Sequence, residues 1–80
     1  MNKHEKTLDK LDMNRSAVVS GIKNDPGVKE RLESIGIIPG CKITPLFACP
    51  LGSPVIYLCL NTLIALRPDV TSKIKIQISK

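Results

Sequence analysis

Arg31-Leu32-Glu33-Ser34-Ile35-Gly36-Ile37-Ile38-Pro39-Gly40 is the stretch on which the chain turns from helix to sheet. Glycine can take the left-handed conformation that ends a helix, so Gly36 marks a helix stop. Ile37 and Ile38 then pass toward the interior, and Pro39-Gly40 turns the chain into a strand. Upstream, Val28, Leu32 and Ile35 recur at i, i+4 and i+7 and make one apolar stripe, while Lys29, Glu30 and Glu33 face away. Asp25 is placed to cap the unpaired amides of the first turn, and Pro26 fits the first helical position because its missing N–H costs nothing there. The spacing predicts a helix of two to three turns with a single buried face.

Downstream the pattern is β. Cys41 to about Ala48 reads as a strand with Lys42 and Thr44 on one face and Cys41, Ile43 and Phe47 on the other. Pro45 within it predicts an edge or a bulge. Cys49-Pro50-Leu51-Gly52-Ser53-Pro54 is a turn-rich connection. Val55 to Leu60 and Leu63 to Arg67 form a hairpin about Asn61-Thr62. After a turn at Pro68 to Ser72, residues 73–78 alternate, with Ile74, Ile76 and Ile78 inward. Toward the N-terminus, residues 16–22 read as a first strand, Asp12 to Arg15 as a turn, and Leu8 and Leu11 as the start of packing. Residues 1–7 read as a flexible polar tail, and 8–80 as the folded domain. About five short strands and one short helix make a mainly β chain, and curling the sheet into a partly open barrel buries one face.

Eighty residues make one domain. A chain of this size buries only about 60% of its unfolded surface, which leaves little room for a deep catalytic cleft. Phe47 and Tyr57 are the only aromatics, so the core must be built from Ile, Leu and Val. The net charge is +5, but the lysines are scattered without a run, which favours a solvated surface over an anion-binding face. The longest apolar stretch, Pro54 to Leu60, is too short to cross a bilayer. The charged N-terminus leads into no apolar segment, so no signal peptide and a cytoplasmic location are expected.

The residue types exclude most site chemistry. Zinc sites use close Cys or His pairs, whereas Cys41, Cys49 and Cys59 are widely spaced and the single histidine, His4, falls in the tail. They read as small core residues, and no metal site or cofactor is expected. No nucleophile–base set or glycine-rich phosphate loop is present, so the chain reads as a non-enzyme. Single-strand binding by small barrels needs aromatic stacking platforms that two aromatics cannot build, which disfavours nucleic acid.

One face of the hairpin is unusual. With Asn61-Thr62 as the turn, Leu60 pairs with Leu63, Leu58 with Ala65 and Ile56 with Arg67, and this face should point outward because Tyr57 joins the isoleucine core. A solvated sheet face should be polar, yet these residues, with Leu46 on the neighbouring strand, are apolar. Two readings stay open. Either the helix or the N-terminal segment covers the stripe, or it is a docking patch for a partner or a second copy of the chain. The candidate contact residues are Arg31, Leu46, Leu51, Ile56, Leu58, Leu60, Leu63 and Arg67. Arg31 reads either as a polar anchor or as a solvated helix arginine.

Four stretches in order carry a resemblance: Ala17-Val18-Val19, Arg31 to Gly40, Cys49 to Pro54, and Ile64-Ala65-Leu66-Arg67, closed by the Ile74/Ile76 strand. Over roughly residues 8–78 the chain resembles the FeoA family, small cytosolic proteins associated with ferrous iron transport. The same domain occurs at the C-terminus of some metal-dependent repressors. The resemblance implies an SH3-like small barrel without catalytic activity. It also implies an accessory or regulatory role, exercised by docking on the cytosolic side of an FeoB-type ferrous iron transporter. The alternatives are a metal-responsive regulatory domain and a nucleic-acid-binding small barrel. Cys49 stands where the family usually has Ala, Ser53 where it has Asp, and Asn61 where it has Gly. Asn can hold the same turn. The missing Asp removes a loop carboxylate and weakens any case for a metal contact there.

Overall fold

A computed structural model describes residues 5–23 and 25–78. Six strands form one antiparallel sheet: β1 (Glu5–Thr7), β2 (Ala17–Ile22), β3 (Lys42–Ala48), β4 (Val55–Cys59), β5 (Thr62–Leu66) and β6 (Ile74–Ile78). Their order is β1-β6-β2-β3-β4-β5, so the sheet curls around a core without closing. Two helices, α1 (Pro26–Ser34) and α2 (Pro68–Thr71), and short 3₁₀ turns at Leu8–Lys10 and Pro50–Gly52 complete the chain.

The inner face is aliphatic. Ala17 and Val19 of β2, Ile43 of β3, Cys59 of β4 and Ile74 and Ile76 of β6 are all but fully buried. Leu8, Leu11, Leu32 and Ile37 close the core from the connecting segments. The strict alternation of β6 is thus realised, and Leu8 and Leu11 pack as their sequence position implies.

The capping signals of α1 also hold. The Asp25 carboxylate accepts a hydrogen bond from the Val28 amide at 3.3 Å, and Pro26 opens the helix. At the other end Gly36 has φ +98°. The Ile37 amide donates to the Leu32 carbonyl and the Gly36 amide to the Glu33 carbonyl, a Schellman closure. Leu32 and Ile37 are then both buried. The chain enters β3 by pairing with Val19, whose amide donates to Cys41 and whose carbonyl accepts from Gly40.

Several sequence expectations are corrected. Ile35 and Ile38 are about half exposed, at 48% and 46%. The Schellman turn sends Ile37 alone inward; Ile35, at the helix cap, has rotated off the Val28–Leu32 stripe. Phe47 is not inward. A β-bulge between Pro45 and Phe47 inserts one residue, so Phe47 pairs with Ile56 and is exposed. Of the two outcomes that Pro45 implies, the bulge is the one found, in a central strand and not at an edge. Residues 5–7, read as tail, pair with β6 as a sixth strand, while residues 1–4 lie outside the described residues. The β4–β5 turn is Leu60-Asn61 and not Asn61-Thr62. Both residues have positive φ, +53° and +62°, as a type I′ hairpin requires.

Candidate functional site

The corrected register keeps the paired side chains of the hairpin on their expected faces, because moving the turn by one residue shifts the pairing by two, while Leu60 passes into the turn and Arg67 leaves the strand. On the inner face Tyr57 pairs with Ile64, Val55 with Leu66, and the buried Cys59 with Thr62, which is itself exposed at the sheet edge. Outward, two cross-strand rows form: Thr44–Leu58–Leu63 and Phe47–Ile56–Ala65. Leu58, Leu63 and Phe47 are 38%, 62% and 54% exposed. The N-terminal segment reaches only the β3 margin of this face, where the Ser16 and Thr44 hydroxyls hydrogen-bond at 2.8 Å, and Leu58, Leu63 and Phe47 stay exposed. Farther across the sheet the outer positions turn mostly polar, with Lys42, Gln77 and Lys75 all exposed and Val18, between Lys42 and Gln77, half-buried. The exposed apolar side chains of this face therefore lie on β3, β4 and β5.

Two exposed leucines stand beyond opposite ends of β4. Leu60, in the β4–β5 turn, is 66% exposed, and Leu51, in the connection from β3 to β4, is fully exposed with φ +73°. A left-handed conformation costs a non-glycine residue about 1–2 kcal/mol. Leucine also gains nothing from standing in water. Strained, exposed apolar residues of this kind gather at contact sites. Composition and periodicity carry no signal for them; only the backbone angles reveal the feature.

The remaining candidates divide. Ile56 and Leu46 are half-buried, Leu46 being the extra residue of the bulge. Arg67 does not border the stripe through Ile56. It follows β5 as the N-cap of α2 and stands with Arg31 on a separate groove of about 440 Å³ between α1, the end of β5 and α2. Val28, Leu32, Leu66 and Val70 supply the apolar lining of that groove. Sequence reasoning missed it because its walls, α1 and the β5–α2 segment, are far apart in the chain.

The cysteines are structural in geometry. Cys41 and Cys59 are buried, and the Cys59 thiol donates to the Cys41 sulfur at 3.6 Å. Burial, and then the neighbouring Cys41 thiol, push the Cys59 thiol up to about 11, so it is protonated at neutral pH and a poor nucleophile or metal ligand. Burial likewise raises the Tyr57 phenol. Among the described residues no three His, Cys, Asp or Glu side chains gather as a metal-ligand set. No described helix is long and apolar enough to cross a membrane.

Comparison with known proteins places this architecture. A FeoA protein from Chlorobium tepidum, solved by NMR, superposes with a TM-score of 0.85 at 28% identity, over 92% of this chain and 70% of that one. A zinc-complexed FeoA from Stenotrophomonas maltophilia is described as a prokaryotic SH3 domain protein with a proposed part as a ferrous iron transport activating factor. It superposes at 0.77 with 24% identity, over 89% of this chain and 88% of that one. A manganese-dependent transcriptional repressor shares the fold, at a TM-score of 0.87 and 14% identity, over 99% of this chain and 39% of the repressor. Comparison with curated proteins finds no match. The FeoA domain model matches residues 6–78, from β1 to the end of β6, and the chain belongs to the FeoA family.

Proposed function

We propose that this chain is an accessory of ferrous iron uptake that docks the outer face of β3–β5 on the cytosolic part of an FeoB-type transporter. The observation that carries the reading is the group of exposed apolar side chains on this face, Phe47, Leu58 and Leu63, beside outer positions that are mostly polar farther across the sheet. Such a patch on a chain this small marks an interaction surface. Membership of the FeoA family supports ferrous iron transport as the setting, and the strained leucines at both ends of β4 support a contact role. Docking is by shape and apolar complementarity. Leu58 and Leu63, directly opposite each other, form its centre.

The test is capture of the cytosolic part of such a transporter by the full chain, with and without ferrous iron. Leu58→Asp and Leu63→Asp should leave the fold intact, because both side chains face solvent, and should weaken capture by about tenfold or more. Unfolding of these variants would show the stripe to be core. Equal capture by wild type and variants, or no capture by wild type in either condition, would overturn the reading. Self-association of wild type that these substitutions abolish would assign the face to a second copy instead.

A further inference from the structure

The groove beside β5 differs in chemistry from the outer sheet face. β5 is the last strand of the sheet, and among the described residues its backbone makes no hydrogen bond on the side away from β4. Proteins normally protect such edges with charge, proline, a bulge or shortness. The other edge, β1, is three residues long and carries Lys6. β5 runs Thr-Leu-Ile-Ala-Leu with no charge, no proline and no irregularity in its pairing. It is an open template for strand addition.

The adjoining groove supplies a charge preference. Arg31 from α1 and Arg67 from the end of β5 both line it and both are exposed. Neither guanidinium has an ion-pair or hydrogen-bond partner among the described residues, where the only ion pair is Lys73–Asp25. Asp69 is the single carboxylate at the groove, against two guanidinium forks, in a chain of net charge +5. Guanidinium is suited to planar, two-point recognition of carboxylate. The apolar lining from Leu32, Leu66, Val28 and Val70 suits aliphatic side chains.

We propose that the β5 edge and its groove form a second binding site, which takes an extended segment of another protein that carries, at every second position, an aliphatic residue between two acidic ones. The segment adds as a strand to β5. Successive side chains of a strand point to opposite faces, so residues i, i+2 and i+4 share the groove: the central aliphatic side chain meets its apolar lining and the flanking carboxylates meet Arg31 and Arg67. Main-chain pairing supplies affinity, and the arginines supply selectivity. A second copy of this chain is a poorer occupant, because it would bring the same arginines and the same net charge. The site does not rest on docking by the outer face.

The experiment is titration of the ¹⁵N-labelled full chain with the blocked peptide Glu-Thr-Val-Thr-Glu and with its lysine counterpart, Lys-Thr-Val-Thr-Lys. The glutamate peptide should shift the amides of Thr62 to Leu66, and the lysine peptide should not. The double variant R31E/R67E should bind the glutamate peptide about tenfold more weakly and gain binding to the lysine peptide. Both arginines are exposed, so the fold should persist; R31Q/R67Q serves should the charge reversal misfold, and should show the loss without the gain. Equal binding of the two peptides would overturn the site. So would shifts centred on Leu58 and Leu63, absence of shifts at millimolar peptide, or pairing of β5 with a second copy. Failure here leaves capture of the transporter through Leu58 and Leu63 as a separate result.

Discussion

Leu60 concentrates the tension between folding and contact. It occupies the first central position of a type I′ turn at φ +53°, where Asn, Asp or Gly is normally found, and it is 66% exposed. Its Cδ1 lies 3.4 Å from where a Cβ on Gly36 would stand, so the hairpin tip sits against the end of α1. Stability alone would replace this leucine. Leu60→Asn should raise the free energy of unfolding by about 0.5–1 kcal/mol, because asparagine tolerates the left-handed region. The same variant should weaken capture of the transporter domain, since an apolar end of the contact face is lost. Urea denaturation and the capture assay together check this. A variant that is less stable, or equally stable with undiminished capture, would show that Leu60 is held there by packing on Gly36.

At the scale of elements, α1 packs on the sheet through Leu32 and is joined to it electrostatically by one residue with two partners. The Asp25 carboxylate caps the helix through Val28 and pairs with the Lys73 ammonium at 2.7 Å, just before β6. The hydrogen bond from Lys73, and then that from the Val28 amide, hold the Asp25 carboxyl below its ordinary value. A lowered folded-state pKa means that the contribution is present above the unfolded value and is lost as pH falls through the folded one. Asparagine keeps the cap and loses the ion pair; alanine loses both. Melting temperatures at pH 7 should therefore rank wild type, then Asp25→Asn, then Asp25→Ala. The gap between wild type and Asp25→Asn should narrow as pH is lowered below about 4. A gap independent of pH would remove the ion pair from this account.

Elements also show what the sequence could disclose. The bounds of α1 were legible because Asp25-Pro26 and Gly36 act locally, each through its own backbone requirement. β6 was legible because its alternation is complete. The faces of the β4–β5 hairpin were legible although its turn was not, since period two forgives a shift of two in the pairing. The bulge at Leu46 was not legible in position, because Pro45 announces an irregularity without saying on which side the extra residue falls. β1 left no apolar pattern: Glu5-Lys6-Thr7 joins the edge through backbone pairing with β6. For the site, the apolar outer rows followed from alternation. The pairing of Arg31 with Arg67 on one groove did not, since it depends on α1 and α2 flanking the end of β5.

For the whole molecule, the titrating groups of the core point toward alkaline sensitivity. Tyr57 and Cys59 are 3% and 2% exposed, both on β4, in a mostly aliphatic interior. Burial raises both, the Cys59 thiol from 9.0 to about 11 with help from Cys41. A raised folded-state pKa means the native state holds its proton more tightly than the unfolded chain. Stability is then complete below the unfolded value and declines as pH rises through the folded one. Between about pH 9 and pH 11 the thiol alone should remove roughly 2–3 kcal/mol, and the phenol adds a further decline above pH 10. Urea unfolding of wild type at about pH 8 and pH 10.5 should show this loss. Cys59→Ala should be less stable at the lower pH, by about 1 kcal/mol for the lost packing, yet should lose less between the two conditions. The residual slope in that variant belongs to Tyr57. If wild type and Cys59→Ala decline in parallel, the thiol is not the group that sets the alkaline limit.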